Sequence, residues 1–132
     1  MASKFVPVHG PSAEKARALC KGIRSMRERY EVITQYVDNH IVYDYIRAVM
    51  IPKKNGLPDV TRCWDHQMGI CLDIASLTAG MLRAVSIPAN LVIGLADGHR
   101  HAWVEARIDG TRYLYDHESN GKVKSYKRER MY

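Results

Sequence analysis

Met68-Gly69-Ile70-Cys71-Leu72-Asp73 runs into Ile74-Ala75-Ser76-Leu77-Thr78-Ala79-Gly80-Met81-Leu82-Arg83-Ala84-Val85, and the reading of this stretch decides the fold. Leu72, Ile74, Ala75, Leu77, Ala79, Met81, Leu82 and Val85 are apolar almost all the way round a helical wheel, the pattern of a helix buried on every side. Gly69 reads as the pivot of a sharp turn, which puts Cys71 at the start of that helix. A thiol there meets backbone N–H groups that have no intrahelical acceptor and the positive end of the helix dipole, both of which favour thiolate. The alternative is a small buried hydrophobe, because unreactive cysteines are among the most buried residues. This stretch alone leaves both readings open.

Outward from the helix, the composition sets the class. The chain has 132 residues, 46% apolar and 26% charged, which suits one domain, 1–132, with a core that needs no disulfide staples. Cys20, Cys63 and Cys71 are an odd, sparse set that fits a reducing compartment. No apolar run approaches the ~20 residues of a membrane span, and the first eight residues lack a signal-peptide core, so a cytoplasmic location is expected if the native N-terminus is as shown. The net charge of +6 is spread along the chain. Its densest cluster, Lys122, Lys124, Lys127, Arg128 and Arg130, reads as a flexible, solvated tail from about 121 rather than a nucleic-acid site, and no nucleic-acid or membrane partner is expected.

Before the central helix, Pro11-Ser12-Ala13-Glu14 reads as a helix start with Ser12 as N-cap, continuing through Ala16, Leu19, Cys20 and Ile23. A second helix is predicted from about Arg27 to Asn39, with Tyr30, Ile33, Tyr36 and Val37 on its apolar stripe. Residues 41–46 fit either a helix or an extended segment. Pro52 to Asp59 is a loop with a turn at Asn55-Gly56, and Thr61 to Gln67 leads into the central turn. After it, Pro88 closes the helix exit and Asn90–Leu95 reads as a strand. Ala96 to Arg100 reads as a polar loop with a turn at Asp97-Gly98. The runs His101–Ile108 and Thr111–Asp116 flank Asp109-Gly110, a strong hairpin signal. Asn120-Gly121 is another turn, and Lys122–Tyr126 adds at most a short last strand.

A two-residue loop at Asp109-Gly110 pairs 108 with 111 and sets Asp116 across from Trp103, two residues from His101 on the same face. A carboxylate thereby meets an imidazole. With Cys71 they make a nucleophile, a base and an orienting group. Singly, each has a plain structural role: a strand histidine satisfies its hydrogen bonds and a strand-ending aspartate caps a turn. Cys63, His66, His99 and His101 offer zinc as an alternative, although Cys-x-x-His is an unusual opening for a structural site.

At this point the chain resembles the transglutaminase-like superfamily of cysteine acyltransferases and hydrolases, which shares the papain-like fold. The resemblance rests on Gly69-Ile70-Cys71-Leu72-Asp73-Ile74-Ala75-Ser76-Leu77, Met81-Leu82-Arg83, Ile87-Pro88-Ala89, Gly94, His101-Ala102-Trp103-Val104-Glu105 and Tyr115-Asp116, in the family's order and spacing. It implies an α+β papain-like, transglutaminase-core fold in which N-terminal helices and a Cys-bearing helix pack on an antiparallel sheet. It also implies Cys71, His101 and Asp116 as catalytic triad, a thioester intermediate, and a peptide or protein substrate whose glutamine or peptide amide is transferred to an amine or hydrolysed. The Cys71 backbone N–H is one oxyanion donor, Gln67 or Trp64 is the candidate second, and Trp103 packs or walls the cleft. No cofactor or metal is implied, and without a dense acidic run calcium activation is not expected. Ser86 stands where the family usually has Gly, so a strained helix exit is expected. Asp73 is expected to stabilise the helix start and Arg83 to join an ion pair. The alternative function is a catalytically silent module that binds peptides or proteins on the same fold.

Overall fold

The computed structural model describes residues 4–50, 57–117 and 121–132. The Asn55-Gly56 turn, and Asn120 of the Asn120-Gly121 pair, lie outside the described residues. The element order is α1 (Pro11–Leu19), α2 (Met26–His40), β1 (Val42–Tyr43), α3 (Tyr45–Met50), α4 (Val60–His66), β2 (Met68–Gly69), α5 (Cys71–Ala84), β3 (Ala89–Ala96), β4 (His99–Ile108), β5 (Thr111–Tyr115) and β6 (Tyr126–Met131).

α5 is the buried helix that the apolar wheel predicts: Asp73 to Leu82 is continuously buried. It packs on α1, α2 and α4 on one side and on β3 and β4 on the other. Ala102, Val104, Ala106 and Ile108 alternate toward this core from β4. Gly80 lets the N-terminal segment cross the helix, since a Cβ there would sit 2.3 Å from the Pro7 carbonyl oxygen. The Ser76 hydroxyl donates to the Phe5 carbonyl at the same crossing, and Val6 is fully buried.

The larger sheet has the order β5-β4-β3-β6, antiparallel throughout. Ile108 pairs with Thr111 and Val104 with Tyr115, the register set by the two-residue turn in which both Asp109 and Gly110 have positive φ. Asp97-Gly98 makes a second such turn, so the expected loop from Ala96 to Arg100 is instead a hairpin pairing Ala96 with His99. β1 and β2 form a separate two-stranded parallel pair, Tyr43 opposite Gly69, which resolves residues 41–46 into a short strand followed by α3.

Several local expectations are corrected. Ser12 is buried inside α1 and Gly10 is the N-cap residue; Ser25 caps α2, accepting from the Glu28 N–H at 3.2 Å. Residues 60–66, expected only as a lead-in, form α4, capped by Asp59 accepting from Arg62 N–H at 3.0 Å. Gly69 is not a left-handed pivot. Its role is close approach, because a Cβ there would lie 2.9 Å from both Asp73 Cβ and Cys63 Sγ, while the left-handed residue is Gln67 at φ 54°. The expected flexible tail is instead β6, which pairs with β3 across a register shift beside Gly94. Ser86, at φ 67°, adopts the left-handed conformation that glycine holds without strain.

Candidate active site

Cys71 is the first residue of α5 and partly exposed. Its position is fixed from behind by Asp73, whose carboxylate accepts from the Ile70 N–H at 3.2 Å and the Asp59 N–H at 2.8 Å. Arg47 Nε lies 4.0 Å from the same carboxylate. Burial pushes the Asp73 carboxyl up, against the lowering effect of these two N–H groups and Arg47. Asp73 therefore stabilises the helix start, as its place in the first turn predicts. Among the described residues Arg83 shows no ion pair. It clamps backbone, with Nε donating to the Ala89 carbonyl and Nη2 to the Tyr132 oxygen, each at 2.7 Å.

His101 stands on β4, and the β4–β5 register brings Asp116 to it from the end of β5. His101 Nε2 lies 2.9 Å from each Asp116 carboxylate oxygen. The Asp116 side chain is only 3% exposed, so its charge is screened little by solvent. With Nε2 committed to Asp116, Nδ1 is the ring nitrogen left for a further partner, and Cys71 is near enough to act on the imidazole. Burial works against the imidazolium, but the hydrogen bond with Asp116, the neighbouring Cys71 and the Asp116 charge outweigh it and raise His101 to about 10.

Trp103 lies behind this group. It is fully buried, its ring 6.3 Å from His101 and 4.9 Å from Tyr126, with Nε1 donating to Glu105 at 3.2 Å. It backs the imidazole rather than walling an open cleft. The cavity enclosed by Cys71, Trp103, Tyr115, Asp116 and their neighbours is about 10 Å³, room for one water at most. Cys71 is therefore reached from the outer side.

Gln67 and Trp64 are placed differently. The Gln67 amide donates back to the Trp64 carbonyl at 2.6 Å and its oxygen faces the Tyr36 hydroxyl at 3.5 Å, while the Trp64 ring packs on Tyr36 at 6.0 Å. Among the described residues no hydrogen bond joins either to Cys71 or His101. Nor is the zinc reading supported there: no three His, Cys, Asp or Glu side chains of the described residues gather as metal ligands, and Cys63 is buried against Gly69.

Sequence reasoning missed Tyr126. Its hydroxyl donates to Asp116 Oδ2 at 2.8 Å from the first residue of β6, a strand whose charged sequence gave no apolar signal.

The fold and this arrangement define a class, a thiol-bearing helix packed on an antiparallel sheet that supplies an imidazole and a carboxylate. The chain belongs to the transglutaminase-like superfamily, whose core model matches residues 13–115, ending one residue before Asp116. Among curated proteins none is a significant match. Solved structures share the fold. A provisionally named cysteine protease from Cytophaga hutchinsonii aligns with TM-score 0.68 and 23% identity over 89% of this chain and 39% of its own. The periplasmic domain of TgpA from Pseudomonas aeruginosa aligns with TM-score 0.64 and 22% identity over 86% of this chain and 44% of its own. Legionella pneumophila LapG aligns with TM-score 0.65 and 13% identity over 94% of this chain and 77% of its own. The chain thus spans less than half the length of the first two. No helix among the described residues is long and apolar enough to cross a membrane.

Proposed function

We propose that this chain catalyses thiol-dependent acyl transfer or hydrolysis on a peptide or glutamine amide, with Cys71 as nucleophile, His101 as acid–base and Asp116 as its orienting carboxylate. The observation that carries this is the position of His101, hydrogen-bonded to a buried carboxylate and neighbouring a partly exposed thiol at a helix N-terminus.

In this reading Cys71 Sγ attacks the amide carbonyl, and the oxyanion meets N–H groups of the first turn of α5, which have no intrahelical acceptor. His101 gives its proton to the departing amine or ammonia, leaving a thioester on Cys71. Water or a second amine, deprotonated by His101, then attacks the thioester carbonyl and releases the thiolate. Asp116 keeps Nε2 of the ring engaged throughout, so that Nδ1 stays aimed at sulfur. The names of the fold relatives, a transglutaminase among them, fit the same chemistry.

The test uses a library of glutaminyl peptides with hydroxylamine as acceptor. The expected result is peptide hydroxamate with release of ammonia, and a Cys71-bound acyl adduct by intact mass that is absent in Cys71→Ser. Neither turnover nor adduct across the library, from protein with a reactive Cys71, contradicts glutamine-amide transfer. Cleavage of the same peptides instead selects the protease branch.

A further inference from the structure

β6 supplies more than an edge to the sheet. Its first residue, Tyr126, is set by the turn before it, by pairing in the sheet and by an aromatic contact. Asp97, in the left-handed β3–β4 turn, accepts from the Lys124 N–H at 3.1 Å and the Ser125 N–H at 2.8 Å, and its own N–H donates to the Ser125 carbonyl at 2.8 Å. Tyr126 then enters the sheet opposite Ala96, and its ring packs edge-on against Trp103 at 4.9 Å and 60°. Placed in this way, the phenol reaches Asp116 Oδ2 at 2.8 Å, the carboxylate whose two oxygens hold His101 Nε2.

We infer that Tyr126 is a positioning residue for the acyl-transfer centre: its hydroxyl pins the Asp116 carboxylate in the rotamer that orients His101, and the Asp97 turn sets Tyr126 in place. This rests on the proposed thiol chemistry and adds the fourth member of its chain. The physical argument is geometric. A carboxylate has a broad torsion about its last bond, and a single imidazole partner fixes one direction only. A phenol donor from a different strand fixes a second, so the pair over-determines the carboxylate plane. The bond is also charge-assisted, which makes it the stronger kind. The ring is held by Trp103, which is itself anchored by Glu105, so the donor is carried on packed aromatic surface.

The test is the alkylation rate of Cys71 by iodoacetamide between pH 5 and 9, in the parent, His101→Ala, Tyr126→Phe, Asp116→Ala and the Asp116→Ala/Tyr126→Phe double variant. Phenylalanine keeps the ring on Trp103 and removes only the donor. Tyr126→Phe is expected to react about tenfold more slowly at pH 6, the loss of one hydrogen bond to a charged group, and to converge on the parent by pH 9. In the Asp116→Ala background the same change is expected to have no effect, because Tyr126 acts through that carboxylate. A Tyr126→Phe rate within twofold of the parent at pH 6, or an equal slowing with and without Asp116, overturns the proposal. A parent that His101→Ala leaves unchanged instead overturns the thiol chemistry. In that case the His101 Nε2–H proton, followed by imidazole NMR, still decides the positioning role: about tenfold faster solvent exchange in Tyr126→Phe supports it, and an unchanged rate overturns it.

Discussion

Cys20, Cys63 and Cys71 sit in three different fields. Burial raises Cys20, against a lowering effect from Arg29. Burial, followed by the carboxylates of Asp73 and Asp59, pushes Cys63 up to about 12. Of the three, Cys71 alone is partly exposed, and Cys71 alone neighbours His101. The neighbour that makes the difference is Asp116, so the residue-scale prediction concerns its charge. Asp116→Asn keeps the size and removes the charge that holds His101 protonated and turned the right way. Acyl transfer is expected to fall by about 10²- to 10⁴-fold, with the far-ultraviolet circular dichroism unchanged. A loss below threefold in the single-turnover rate sinks the orienting role.

At the scale of elements, legibility followed the strength of local signals. The β4–β5 register was legible because Asp109-Gly110 fixes the turn, and one register then fixes which residues face each other. α5 was legible because its apolar residues leave no solvent face. β6 was not: Tyr126-Lys127-Arg128-Glu129-Arg130-Met131 is charged, and all but its first residue are exposed, which is how an edge strand looks before its partner is known. α4 was obscured because seven residues make too few turns for a period to show, and its cap, Asp59, lies beyond a proline. Gly69 was ambiguous because a glycine kept for close approach looks the same in sequence as one kept for a turn, and Gly80 is likewise kept for close approach. Gly80 yields a discriminating prediction. On propensity alone Gly80→Ala gains about 1 kcal/mol in a helix. Here the Cβ meets the Pro7 carbonyl oxygen at 2.3 Å, and a net loss of about 1–3 kcal/mol is expected. Urea unfolding measures it, and a stabilised variant would refute the crossing of the N-terminal segment over α5.

For the whole molecule, the site couples to stability through the protons it binds. The ordinary histidine value is about 6.5, and that of His101 is raised to about 10. A raised folded value means that the stabilisation is fully present below about 6.5 and is lost as pH climbs through about 10. Cys71→Ser removes the thiol's own proton from the count and leaves the Asp116 part of the shift. In that background unfolding free energy is expected to fall with rising pH above about 6.5, by at most about 1.4 kcal/mol per pH unit. Adding His101→Gln flattens the slope. Denaturant melts at pH 6, 7, 8 and 9 check this, and equal slopes in the two proteins contradict the His101–Asp116 pairing. The same scale explains why the centre could be only partly read in advance. Its thiol, imidazole and carboxylate come from motifs that local sequence carries, whereas Tyr126 arrives through a sheet order, β5-β4-β3-β6, that no local pattern encodes. Gln67, one of the two candidates for a second oxyanion donor, lies at the end of α4 with its amide on the Trp64 carbonyl.

The central claim is that His101 activates Cys71 as a nucleophile. Its most direct measurement is the iodoacetamide alkylation rate of each cysteine at pH 6, read by peptide mass spectrometry in the parent and in His101→Ala. The account predicts that Cys71 reacts at least about tenfold faster than Cys20 and Cys63 in the parent, and that His101→Ala abolishes this advantage. A Cys71 that reacts no faster than the other two at pH 6, or one whose advantage survives the loss of His101, would contradict it.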